Sequence, residues 1–127
     1  MLKKILLIYC FDLFTKKDIN ALRGVYLTFA GIGKGLLNVK LGKLANVYCI
    51  VSFKPDVNPA LDRYKLEESL SWLIDDRRAE SFEDVVTMKG SLKIREVTSE
   101  LNNTMGKCVL NYNQETISKS FKIVVKD

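Results

Sequence analysis

Short runs of apolar and β-branched residues, separated by glycine, proline and polar residues, recur along the whole chain. This spacing predicts a protein made mostly of short strands. In Val47–Phe53 every second side chain is apolar and points to one face, and in Ser120–Lys126 the same alternation is clearest. The predicted strands are Lys4–Phe11, Val25–Ala30, Leu36–Leu41, Val47–Phe53, part of 61–78, Val85–Ile94 with Gly90 inside it, Lys107–Tyr112 and Ser120–Lys126.

The segment 61–78 supports two interpretations. As a helix, it places Leu66, Leu70 and Leu73 on one stripe, and its Lys, Glu, Leu and Arg residues favour helix. As a loop followed by a strand, it turns Leu70, Trp72 and Ile74 inward. Local propensity slightly favours the helix. The strand interpretation predicts an eight-stranded antiparallel β-sandwich, and the helix interpretation an α+β fold with a helix at about 61–78 packed on an antiparallel sheet.

Length and composition predict one soluble domain spanning residues 1–127. The chain is 47% hydrophobic and 28% charged, which is typical of a folded domain. Met1–Phe11 has a basic start and a short apolar stretch like a signal peptide, but it lacks a small-residue cleavage site and Asp12 ends the run. A buried strand is therefore the preferred interpretation of this segment, and no stretch is long enough to span a membrane.

The chemistry-bearing residues argue against catalysis and metal binding. The chain has no histidine, which excludes histidine bases and catalytic triads. Three separated cysteines, Cys10, Cys49 and Cys108, each lie in an apolar run, so they are predicted to be buried and reduced, without a disulfide framework. The aromatic residues in apolar runs are predicted to be core. These are Tyr9, Tyr26, Tyr48, Trp72 and Phe121.

With the strands laid out, the chain resembles a C2 domain, a β-sandwich module that docks on membranes and protein partners. The resemblance covers most of the chain and consists mainly of spacing. It rests on Asp12-Leu13 followed by a Lys-rich loop with Asp18, on Leu44-Ala-Asn-Val-Tyr-Cys49, and on the distance from Leu70 to Asp76, Arg78 and Asp84.

The resemblance implies five acidic calcium positions, of which three are retained. Asp18, Asp76 and Asp84 match acidic positions, whereas Gly24 and Arg78 replace the other two. A guanidinium where a divalent cation would lie opposes binding, so no metal or other cofactor is expected.

The resemblance also implies a basic face that contacts anionic head groups. Net charge is +5, and the candidate residues for this face are Lys34, Lys40, Lys43 and Lys54. Ordinary solubilising lysines explain the same residues equally simply.

The sequence therefore predicts a non-enzymatic, calcium-independent, C2-like binding module, cytoplasmic and possibly peripheral to a membrane. Its partner would be a protein or an anionic membrane surface. The alternative is a small interaction subunit of a viral, immunity or other assembly with the α+β fold. Nucleic acid is an unlikely partner, because no recognition motif accompanies the basic charge.

Overall fold

The computed structural model describes residues 21–127, which form two β-sheets packed face to face. Nine strands, one short α-helix and two single turns of 3-10 helix make up this part of the chain. In chain order the strands and the helix are β1 Val25–Ala30, β2 Leu36–Lys40, β3 Ala45–Phe53, α1 Arg63–Glu68, β4 Leu70–Ile74, β5 Arg77–Arg78, β6 Val85–Met88, β7 Ser91–Ile94, β8 Met105–Tyr112 and β9 Glu115–Lys126.

The strands divide into a four-stranded sheet, β1-β3-β7-β6, and a five-stranded sheet, β2-β9-β8-β4-β5. The chain changes sheets between β1 and β2, where Gly31 has a φ of 98° and its Cα lies against the main chain of Asn46. Only glycine accommodates this close approach at a positive φ. β2 then pairs with β9 in parallel, while the other strand pairs are antiparallel.

A disulfide between Cys49 of β3 and Cys108 of β8 joins the two sheets, with a Cα–Cα distance of 6.5 Å. Trp72 of β4 is the cross-strand partner of Cys108, and its indole N–H donates a hydrogen bond of 3.1 Å to the carbonyl of Lys89 in the β6–β7 turn. The covalent link and this hydrogen bond therefore connect the same two sheets through the centre of the core.

The core contains an aromatic cluster of Phe29, Trp72 and Phe121. The Phe29 and Phe121 rings meet edge to face at 5.2 Å between centroids, and Trp72 lies 6.2 Å from each. Edge-to-face pairs add stability beyond the buried area. Phe121 also covers Gly106, its cross-strand partner on β8, so closely that no Cβ fits there.

Segment 61–78 contains both a helix and a strand. Asp62 caps α1 by accepting a hydrogen bond from the Tyr64 amide, and Leu66 is the buried residue of this helix. The helix ends at Glu68, and Leu70, Trp72 and Ile74 then point into the core from β4. The alternative α+β fold was wrong because tertiary packing of these alternating side chains outweighs helix propensity.

The prediction of a mostly β sandwich is confirmed, but the prediction of eight antiparallel strands was wrong. The described residues contain nine, because a hairpin splits Val85–Ile94 and β5 follows β4 directly, and β2 pairs in parallel. The predicted strand Lys4–Phe11 lies outside the described residues. Val25–Ala30 matches its predicted bounds, and Phe121 and Ile123 are buried as the alternation indicates.

The prediction that the cysteines lack a disulfide was wrong for Cys49 and Cys108, although both are buried as expected. The odd number of cysteines and their wide spacing did not reveal the disulfide, because its two cysteines are 59 residues apart in the sequence and only packing brings them together. Cys10 lies outside the described residues.

Removing the bridge is expected to lower the free energy of unfolding. A disulfide closing a loop of this length contributes about 4 kcal/mol in the loop-entropy model. We expect Cys49→Ala/Cys108→Ala to lose roughly 2–5 kcal/mol in urea denaturation. Dithiothreitol should lower the stability of the wild type and leave the double variant unchanged; an equal effect on both would contradict the assignment.

Gly106→Ala is expected to destabilise the fold by about 1–3 kcal/mol, since the added methyl overlaps the Phe121 ring, which its aromatic neighbours hold in place. Phe121→Leu should relieve that overlap. Denaturation of both single variants and the double variant measures the coupling, and we expect the double variant to lose less than the sum of the singles. Additive losses would show that the ring does not restrict this position.

Candidate functional site

The outer side of the four-stranded sheet carries a surface that we call the tyrosine face. Its residues alternate with buried ones along β1, β3, β7 and β6, so they share one side of the sheet. One continuous row across the sheet consists of Ala30, Tyr48, Ser91 and Met88. The tyrosine face consists of Tyr26, Thr28, Ala30, Asn46, Tyr48, Ile50, Ser52, Val86, Met88, Ser91 and Lys93.

Several large apolar side chains of the tyrosine face are open to solvent. Tyr26 is 42%, Tyr48 50% and Met88 72% exposed, and Ile50 and Val86 are exposed as well. Among the described residues of this face, Lys93 is the only one with a charged side chain. A sheet face turned to solvent is ordinarily polar and charged. An aromatic, nearly uncharged face has the composition of an interface core.

The assignment of Tyr26 and Tyr48 to the core was wrong. Both lie in apolar runs, which suggested burial, but each alternates with inward neighbours and points outward. The signal was present in the sequence: once Val47, Cys49 and Val51 share the core face, period two places Tyr48 and Ile50 on the other side. Trp72 and Phe121 are buried as predicted, and Tyr9 lies outside the described residues.

The four predicted anion-binding lysines do not share one place. Lys34 lies in the tight turn that leads into β2, Lys40 ends β2, and Lys43 lies in the next turn, so these three flank one strand. Lys54 follows β3 at its far end, where its amide donates to the carbonyl of Gly24. All four side chains are exposed. Lys40 and Lys43 thus lie near one end of β2 and Lys34 near the other, while Lys54 lies elsewhere.

A shallow groove of about 360 Å³ lies between β2 and the start of β3. It lies where β1 ends at Ala30, opposite Tyr48, and beyond that point Gly31 lies close to the main chain of Asn46. Its lining mixes polar, basic and apolar groups, including Asn38, Lys40, Lys43, Leu44 and Asn46.

The predicted acidic positions lie apart from these surfaces. Asp76 lies in the two-residue turn between β4 and β5 with a φ of 62°, and its carboxylate is 3.7 Å from the Lys107 ammonium. Asp84 precedes β6 on the other sheet, and Arg78 ends β5, where it pairs with Glu80. Asp18 lies outside the described residues. Within residues 21–127, no three His, Cys, Asp or Glu side chains gather as a metal site would require.

Comparison with solved structures identifies the architecture. The chain superposes on "Tandem Ig repeats of Dlar" with a TM-score of 0.54 at 17% identity, over 81% of this chain and 49% of that one. It superposes on "Sidekick-1 immunoglobulin domains 1-4" with a TM-score of 0.57 at 12% identity, over 80% of this chain and 24% of that one. The fold is immunoglobulin-like.

A third match, to the N-terminal four Ig domains of Dscam1 isoform 6.9, has a TM-score of 0.55 at 17% identity, covering 80% of this chain and 21% of that one. This chain thus spans about half of the first solved chain and about a quarter or less of the other two. No family model and no curated protein matches it.

The C2 resemblance was therefore wrong. The structural neighbours are immunoglobulin domains, and the sheet pairings explain why the spacing misled. The distance from Leu70 to Asp84 spans a strand, a tight hairpin and a 3-10 turn, not a strand followed by one calcium-binding loop.

The immunoglobulin-like interior has one departure from the usual pattern. A buried tryptophan beside an inter-sheet disulfide is typical of immunoglobulin domains, and Trp72 occupies that place. A tyrosine commonly stands two residues before the second cysteine. Here that position is Gly106, and the Phe121 ring from β9 fills the space above it.

No helix among the described residues has the length and apolar character needed to cross a membrane.

Proposed function

We propose that this immunoglobulin-like domain is a non-catalytic module that binds another protein through the tyrosine face. The observation that carries the proposal is the exposure of Tyr26, Tyr48 and Ile50 on a sheet face with one charged residue. Tyrosine supplies a large, rigid contact area with a polar tip, and it is enriched among the residues that dominate interface energy.

The arrangement of the tyrosine face supports a protein as the occupant. Hydroxyl groups of Thr28 and Ser52, which lie 3.2 Å apart, border the apolar side chains and supply hydrogen-bonding positions. Basic residues at its rim, Lys54, Lys89 and Arg95, are exposed. An apolar centre with a polar rim is the usual organisation of a specific protein interface.

We also propose that the domain acts in an oxidising compartment. The disulfide between Cys49 and Cys108 lies in the core, and structural disulfides persist mainly in secreted, periplasmic and lumenal proteins. This replaces the cytoplasmic location expected from the cysteine spacing.

Cytosolic expression should yield reduced Cys49 and Cys108, detectable by thiol alkylation, and a less stable domain.

Tyr48→Lys is expected to weaken partner binding without unfolding the domain, because the ammonium would be buried unpaired in an apolar contact. Loss of a central tyrosine costs about 2 kcal/mol, or roughly 30-fold in affinity. Quantitative affinity purification measures which proteins are retained by each variant. Tyr64→Lys is the matched control, since Tyr64 is 78% exposed on α1, away from the tyrosine face.

Equal retention by Tyr48→Lys and the wild type would contradict the proposal. A change in sedimentation coefficient with Tyr48→Lys would identify a second copy of this chain as the occupant. We expect retention to be the same with calcium and with a chelator, because Asp76 and Asp84 belong to different sheets and Asp76 is paired with Lys107.

A further inference from the structure

A second surface, separate from the tyrosine face, lies along the free edge of β2. Among residues 21–127, β2 is the terminal strand of the five-stranded sheet and pairs only with β9. A terminal strand presents main-chain groups that can pair with another chain. We call β2, which ends at Lys40, together with the flanking Lys34 and Lys43 the lysine edge.

The register shows which main-chain groups of β2 bond to β9 and which point away from it. The Lys122 amide donates to the Gly35 carbonyl, and the Leu41 amide donates to the Lys126 carbonyl. In a parallel ladder alternate residues bond to the partner, so the odd-numbered residues between them face β9. The amide and carbonyl of Asn38 therefore point away from β9, at the middle of this terminal strand.

The space beside this edge is open. The groove of about 360 Å³ runs along Asn38 and Lys40 on one side and Lys43 and Leu44 on the other. An extended segment entering the groove along β2 would meet the main chain of Asn38, which has no main-chain partner among residues 21–127.

The charge beside the groove is positive. Lys34 precedes β2, Lys40 is its last residue and Lys43 follows it, so the strand has lysines at both ends. Of the ion pairs among residues 21–127, none involves these three lysines. Lysines on an edge strand discourage pairing with neutral or basic strands. The same lysines favour a strand that carries carboxylates at matching positions.

We propose that the lysine edge binds an extended acidic segment of another protein, which adds to β2 as a further strand. The main chain at Asn38 supplies hydrogen bonds, and Lys34, Lys40 and Lys43 select for acidic side chains. This goes beyond the proposed function, because it assigns a second surface with its own kind of ligand and does not depend on the tyrosine face.

The probe is a fluorescent peptide of about eight residues in which glutamate and threonine alternate. It is long enough to cover β2, because residues 36 to 40 span about 13 Å. Anisotropy titrations should show binding that weakens as salt rises. Lys40→Glu/Lys43→Glu should reduce affinity by roughly tenfold or more. Lys54→Glu, which makes the same change at the far end of β3, should leave the affinity for the peptide unchanged. Tyr48→Lys should also leave it unchanged, which would distinguish the lysine edge from the tyrosine face.

Strand addition has a second signature, which charge attraction alone lacks. The same peptide with alternate main-chain nitrogens methylated keeps its charge but loses its donors, and it should not bind. Asn38→Pro removes the outward amide and keeps the β9 ladder, so it should weaken peptide binding while retaining the fold. Val39→Pro removes a ladder donor instead, and it should lower the melting temperature.

Equal binding of the methylated and unmethylated peptides would overturn the proposal, as would full affinity in Asn38→Pro. If Asn38→Pro does not fold, hydrogen exchange of the wild-type Asn38 amide decides: the bound peptide should slow exchange, and unchanged exchange at saturation would overturn the proposal. Lysine-dependent binding to phosphatidylserine vesicles without binding to the peptide would replace it with membrane docking.

Discussion

The link between Cys49 and Cys108 is the constraint on which the rest of the fold depends. It joins the second strand of one sheet to the third strand of the other and fixes their separation at the centre of the core. Trp72 fills the adjacent space and bonds to the opposite sheet through Lys89. The two sheets therefore cannot slide relative to each other without breaking covalent, aromatic and hydrogen-bonded contacts together. The outer surfaces of the two sheets are therefore held in a fixed position relative to each other.

Much of the strand pattern followed from period two alone. Val25–Ala30 was predicted with its exact bounds, because apolar side chains that alternate across a half-buried strand leave a strong local signal. The number of strands was less accessible, since the turn at Lys89-Gly90 is short and divides a continuous apolar run. Segment 61–78 was ambiguous because a capped helical turn and a core strand follow each other within a few residues.

The fold family and the site were harder to predict for different reasons. Matching spacings between acidic residues do not determine which strands pair, and Leu70–Asp84 fits a hairpin as well as a calcium loop. The disulfide depends on contacts across 59 residues, which local patterns do not encode. Tyr48, in contrast, could have been placed outward from its neighbours. Lys40 and Lys43 were identified from charge, but their relation to the terminal strand of a sheet required the sheet order of residues 21–127.

The change of sheets at Gly31 has a mechanical consequence. It lets the early part of the chain pair with β3 in one sheet and with β9, the last strand, in the other. Because β2 and β9 run in parallel, tension that separates Ala21 from Asp127 pulls these strands lengthwise in opposite directions. Their hydrogen bonds then carry the load in shear, all at once, instead of opening one after another like a zipper. Once they yield, the closed loop between Cys49 and Cys108 still prevents that part of the chain from extending.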